Sequence, residues 1–192
     1  MGKNEMDKVN KAWLKGDINF YFRYKRKILE KMIEGSCLNV GCGDHLINNA
    51  TNIDENATAL PYKDNSYNTI ILSDVIEHIE DWEKAVHEAI RVSNKKVILT
   101  VPAYKWLWSN YDKELGHYRR YHKKDIVNFL KKYPDLKYKV GYLFGPLLPL
   151  VWMRKFSSGK TPNLPKFVDK MFYGLSHIKL PFGSTLMIEI KK

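Results

Sequence analysis

The chain has 192 residues, 44% of them hydrophobic, and a formal net charge of +11. That is apolar material for one well-buried core, with no run of the roughly 20 apolar residues that cross a membrane and no apolar stretch of a secretory signal near the lysine-studded start. A single domain over 1–192 in the cytoplasm is therefore expected, with its two cysteines, Cys37 and Cys42, too close together to staple a fold and read as reduced thiols.

The charge is uneven: +4 from Met1 to Glu34, −5 from Gly35 to Asp112, and +6 in each of Lys113–Lys139 and Val140–Lys192. The first segment holds a basic, aromatic helix candidate, FYFRYKRKILEKMI, which the sheet does not need and which is read as part of a lid over 1–34. Short apolar runs then follow at CLNV (37–40), TIILS (69–73) and KVILTV (96–101), each ended by Gly, Asp or Pro as buried parallel strands are. Between the last two, Trp82, Ala85, Val86, Ala89 and Ile90 recur at helical spacing. KKDIVNFLKKY predicts a second amphipathic helix, stopped by Pro134. Late strands are expected at Tyr138–Leu143 and Thr185–Ile190. YLFGPLLPLVWMRKF is the most apolar run, too short to span a bilayer and too proline-broken for a regular helix; with Arg154 and Lys155 behind it, it reads as a peripheral membrane contact, a packed loop or a dimer contact. The alternation predicts an α/β fold: an open, mostly parallel sheet with helices on both faces and ligands at the carboxyl ends of its strands.

The stretch LNVGCGDHLINNATNIDEN carries the first chemistry. A dinucleotide fingerprint wants a third glycine, but Gly41-Cys42-Gly43 is followed by Asp44, His45 and Leu46, and no Gly-Lys-Ser/Thr follows to make a P-loop. Cys42 has no base beside it in sequence and is read as a small residue packed under the turn rather than a nucleophile. What remains is a turn that lets a ligand approach the backbone, with Asp54 at the end of a second strand, TNID, where a carboxylate can accept two ribose hydroxyls.

LNVGCGDH, NIDEN, LPYKDNSYNTIILSDVIEHIEDWEKAVHEAIRV and KKVILTVP, taken in this order over Cys37–Pro102, resemble a class I S-adenosylmethionine-dependent methyltransferase of the methyltransferase domain 11 type. The resemblance implies a Rossmann-like fold with a cofactor-binding half over 35–102, a substrate-side half over 103–192, and S-adenosylmethionine as cofactor, leaving as S-adenosylhomocysteine. It implies Asn39, Gly41, Cys42 and Gly43 around the methionine moiety, Asp54 at the ribose and Leu60 at the adenine, with Ser73, Asp74 and Val75 closing the other side. Asn39 stands where the family commonly has Asp or Glu. Only five residues separate Asp54 from Leu60, so the sheet is expected to be abbreviated there. VPAYKWLWSNYDKELGHYRRYHKKDI resembles a subgroup associated with glycan or lipid-linked saccharide pathways.

Methyl transfer from a sulfonium asks for alignment, exclusion of water and, where needed, a proton acceptor. His78 and His117 are the candidate catalytic residues, His78 with the alternative of a structural corner beside Glu77. Asp74, Glu77, His78 and His117 also resemble the metal set of some O-methyltransferases, a divalent ion that is considered but not favoured. In GHYRRYH, Arg119 and Arg120 offer forks to phosphate or carboxylate, and Tyr118 and Tyr121 offer rings, with Trp106 lining the pocket. The alternative is a capping turn whose arginines pair with the acidic middle of the chain. The reading is methyl transfer to a small-molecule, saccharide or lipid-linked acceptor, anionic by these arginines. An RNA 2′-O-methyltransferase and a non-catalytic cofactor-binding subunit stand as the alternatives.

Overall fold

The computed structural model describes residues 20–43, 45–154 and 165–192; Met1 to Ile18 and Asn19 of the expected lid, and Lys155, lie outside them. Six strands, β1 (Cys37–Val40), β2 (Thr51–Ile53), β3 (Tyr67–Ser73), β4 (Ser93–Pro102), β5 (Lys137–Leu143) and β6 (Thr185–Lys191), form one sheet in the order β2-β1-β3-β4-β6-β5. β1 to β4 pair in parallel, and β6 runs antiparallel to β4 and β5, so the mostly parallel α/β architecture is as expected. The helices are α1 (Phe20–Met32), α2 (Trp82–Val92), α3 (Asn110–Glu114), α4 (Lys123–Leu130), α5 (Leu148–Arg154) and α6 (Lys166–Leu175), with 3-10 turns at Ile76–His78 and Lys105–Leu107.

Successive side chains of a strand point to opposite faces, and both faces are covered here. Ile70 and Leu72 of β3 with Val97, Leu99 and Val101 of β4 pack against Ala85, Val86 and Ala89 of α2 and Ile126, Phe129 and Leu130 of α4. Ile71 and Ile98, one residue out of phase, meet Leu29 of α1 together with Cys37 and Ile47. The expectation that the sheet does not need the first helix is therefore corrected. Leu29 is fully buried, a contribution of about 1.5–3 kcal/mol, and Tyr24 joins Leu143, Phe144 and Leu147 in a second cluster.

No strand or helix occurs between β2 and β3, so the abbreviation read from the sequence is present. A segment without a ladder must find other partners for its backbone, and α2 supplies them. Glu88 accepts the Leu60 N–H at 3.0 Å, and Arg91 donates to the carbonyls of Leu60 (3.1 Å) and Tyr62 (2.8 Å) and to Asp64 (2.7 Å). The proline-broken run is also corrected: Leu148–Arg154 is helical. Pro149 sits in its first turn, where no intrahelical N–H is required.

Candidate active site

The loops after β1, β2, β3 and β4 lie at the carboxyl ends of the parallel strands. Gly41 has φ +64, and a Cβ there would come within 2.9 Å of Val75 Cγ1, which brings the first turn directly against the loop after β3. Gly43 has φ +45, and a Cβ there would meet no atom of the described residues beyond its chain neighbours within 4 Å. This is backbone that another molecule can approach closely. The Cys42 N–H donates to Ile53 O at 3.1 Å, tying the turn to the end of β2 next to exposed Asp54. Both cysteines are buried, and neither is in a disulfide. Burial pushes the Cys37 thiol up to about 12, which keeps it an inert core residue.

Asn39 lies beneath this turn, where its amide donates to His45 O (3.0 Å) and Asn52 Oδ1 (2.8 Å). Its amide hydrogens thus hold the loop. Leu60, expected at an adenine, has its side chain in the core and both backbone polar groups bound by α2. Across the crevice, Ser73 Oγ lies 3.0 Å from Thr100 Oγ1, which donates to Asp74 Oδ1 at 2.9 Å. Asp74 has φ 54, a left-handed backbone that is uncommon outside glycine and clusters at functional sites.

The other Asp74 oxygen pairs with Lys25 of α1. Sequence reading did not single out Lys25, since a lysine among nine basic residues of that segment looks like solvated surface. It is nearly fully buried, with its ammonium 4.7 Å from the centre of the Tyr21 ring and 5.2 Å from that of Phe22. Burial works against the charge on Lys25, but Asp74 outweighs it and raises the lysine pKa. Phe22 stacks on His45 at 4.5 Å, and Tyr21 Oη lies 3.0 Å from Thr185 Oγ1. The first two turns of α1 thus touch the loop after β1, the loop after β3 and the start of β6.

Behind Asp74 stands a cluster of three side chains. Glu77, His78 and His117 present one donor atom each, all within 4.8 Å of one another, and the two imidazole rings meet edge to face at 4.6 Å. His117 Nδ1 is 3.0 Å from Asp112 Oδ1. That bond fixes the ring and leaves Nε2 as the nitrogen turned to other partners. Burial, then the neighbouring His117, lowers the pKa of His78. Burial, then Asp74, raises that of Glu77 well above the usual carboxylate range, and neither Glu77 oxygen has a hydrogen-bond partner among the described residues.

Two imidazoles and a carboxylate suit a divalent transition metal, and Asp112 would serve as the outer partner of His117. Asp74 does not join the set, because Lys25 and Thr100 occupy its carboxylate. A group whose folded pKa is raised stabilises the fold below its unfolded pKa, and that contribution is lost as pH rises through the folded value. Glu77→Gln is therefore expected to leave thermal stability unchanged near pH 4, below the unfolded value of 4.5. At alkaline pH it should raise the melting temperature by about 2–10 °C, as read by melting curves across pH in EDTA. Divalent metal that stabilises the parent protein and not this variant would identify the cluster as a metal site.

The GHYRRYH segment divides. Arg120 is buried and donates to Asp112 Oδ1 (2.8 Å) and Ala103 O (3.3 Å), so its fork holds the loop together, as the alternative reading has it. Tyr121 is a core residue whose hydroxyl donates to Ile76 O at 3.1 Å. Arg119 donates to Glu80 O at 2.9 Å. Tyr118 and Trp106 remain exposed, at 56% and 47%. Asp112, passed over in the sequence, turns out to organise the segment; its neighbours Ser109, His117 and Arg120 give it no recognisable spacing.

Residues 43–101 match the family model described as "Methyltransferase domain", which spans the glycine turn to the end of β4. No curated protein matches the chain in sequence. Among solved structures, a methyltransferase of Thermotoga maritima, described as S-adenosylmethionine-dependent and a possible histamine N-methyltransferase, aligns at TM-score 0.60 and 15% identity over 89% of each chain. The plantazolicin methyltransferase BpumL, solved with S-adenosylhomocysteine, aligns at TM-score 0.54 and 12% identity over 97% of this chain and 90% of its own. The small RNA methyltransferase HEN1 aligns at TM-score 0.54 and 10% identity over 90% of this chain but 25% of its own. At such identities the shared property is the fold.

Proposed function

We propose that this chain, a class I S-adenosylmethionine-dependent methyltransferase, methylates a hydroxyl of a small-molecule, saccharide or lipid-linked acceptor, with His117 as the base. The observation that carries this reading is the Asp112–His117 pair at 3.0 Å. A carboxylate on Nδ1 fixes the tautomer and frees Nε2 to take a proton, the arrangement general-base catalysis requires. S-adenosylmethionine supplies an activated methyl on its sulfonium. In this reading Gly41, Cys42 and Gly43 lie along its methionine end, Asp54 takes the ribose, and Ser73, Asp74 and Val75 close the other side. His117 Nε2 would take the proton of the acceptor hydroxyl as that oxygen receives the activated methyl the bound cofactor would supply. α1 acts as a lid through Lys25 and Phe22, excluding water from the crevice. A negative charge on the acceptor is not part of the proposal, because the Arg120 fork is held by Asp112 and Ala103 and Arg119 donates to the Glu80 carbonyl.

A second reading, methyl transfer to an RNA 2′-hydroxyl, draws on the Glu77, His78, His117 donor set and on exposed Tyr118, a ring on which a base can stack. Transfer of label from S-adenosylmethionine into a host-cell extract, separated into aqueous, lipid and RNA fractions, tests both. Label in the aqueous or lipid fraction supports the first reading and label in RNA the second. Cofactor binding with no label in any fraction would favour a non-catalytic subunit.

A further inference from the structure

Eleven large hydrophobic side chains are exposed among the described residues, and seven of them, beginning with Leu150 and Trp152 and ending with Phe182, belong to the segment between β5 and β6. Two features organise them. On α6, Phe167 and Met171 fall on one stripe with Ile178 just beyond the helix, at 74%, 51% and 49% exposure; the inward stripe of that helix is a different one, Phe172 and Leu175, packed beside Tyr24 and Phe144. Nearer the active site, Trp106, Leu148, Pro149, Trp152 and Phe182 line an apolar hollow of about 330 Å³. Trp106 stacks on Tyr104 (5.6 Å), in the loop after β4, so the hollow lies at the catalytic end of the sheet.

The charges of this segment are mostly of one sign. Lys166, Lys170 and Lys179 are exposed. Its single acid among the described residues, Asp169, is turned to α1, where it pairs with Arg23 and accepts the Phe20 N–H at 2.7 Å. Among the described residues, no helix is long and apolar enough to cross a membrane. Exposed aromatic and methionine side chains on short helices, flanked by unopposed lysines, match an interfacial surface. A second copy of the chain would bring these lysines against their own counterparts.

We propose that the β5–β6 segment docks the enzyme on an anionic lipid surface, with Trp152, Phe167, Met171 and Phe182 entering the interface and Lys166, Lys170 and Lys179 meeting the headgroups. This extends the lipid-linked form of the acceptor reading, since it places the mouth of the crevice at the membrane. The test is co-sedimentation with phosphatidylcholine vesicles prepared with and without phosphatidylglycerol, which needs no turnover and therefore fails or succeeds separately from the acceptor assignment. The protein is expected to partition to the vesicles containing phosphatidylglycerol, and to be released by salt. Lys166→Gln with Lys170→Gln should weaken partition by about thirtyfold, and Phe167→Ser with Met171→Ser by about tenfold or more, with melting temperatures retained. Lys124→Gln on α4, which removes an equal charge elsewhere, should change partition little. Protein that stays in solution with both vesicle types overturns the proposal. So does a concentration-dependent dimer abolished by Phe167→Ser with Met171→Ser in the absence of vesicle binding.

Discussion

His117→Asn is expected to lower kcat by about two to four orders of magnitude while S-adenosylmethionine binding, measured by calorimetry, stays unchanged. The residue lies in the loop between α3 and α4 and makes none of the contacts that hold the turn at Gly41–Gly43 or the end of β2, so the expected loss falls on turnover. Asp112→Asn should reproduce much of the loss although Asp112 is a positioning residue. An amide can donate to Nδ1 as readily as accept from it, which releases the tautomer that leaves Nε2 unprotonated. A merely structural His117 would behave differently: loss of turnover would track loss of melting temperature across His117→Asn, His117→Gln and His117→Ala. Under the proposal, the three lose turnover to a similar extent whatever their stability.

The sequence made the sheet legible because its central strands β1, β3 and β4 are buried on both faces. Continuous apolar runs such as TIILS and KVILTV have one reading when bounded by turn residues, and the glycine turn could be placed because it follows such a run. The short path from Asp54 to Leu60 likewise announced a missing strand, since chain length alone forbids it. What stayed hidden has one cause: side chains that look solvated in sequence find partners distant along the chain. Lys25 meets Asp74 across 49 residues, Asp112 draws on both flanks of its loop, and Arg120 turns inward to it. A pair of arginines reads as an anion site until the buried carboxylate that satisfies one of them is seen. The role of α1 was missed for a related reason: a basic helix with one buried leucine and one buried tyrosine has too faint a stripe to signal that it closes a face of the sheet.

Asp112→Ala should be the most damaging single change to the fold outside the hydrophobic core. Its carboxylate accepts from the Ser109 N–H (2.9 Å) and hydroxyl (3.0 Å) and from Arg120 Nε (2.8 Å), besides bonding His117. Removing it strands a buried guanidinium. Breaking one partner of a buried pair costs about 3–5 kcal/mol, or about 6–20 °C in melting temperature for a domain of this size. The pH dependence follows from the same bonds. Burial pushes the Asp112 carboxyl up, but His117 and Arg120 outweigh it and bring it down from 3.8 to about 2. A depressed carboxylate stabilises the fold above its unfolded pKa and loses that contribution as pH falls through its folded one. The gap between the parent protein and Asp112→Ala should therefore hold from neutrality to about pH 4 and close towards pH 2. Adding Arg120→Leu to Asp112→Ala should recover part of the lost stability, because the cost lies in the unpaired charge rather than in the absent bond. It should recover no turnover, since His117 would still lack the group that sets its tautomer. Recovery of stability without activity would separate the two duties of Asp112, and recovery of both would remove Asp112 from the positioning of His117.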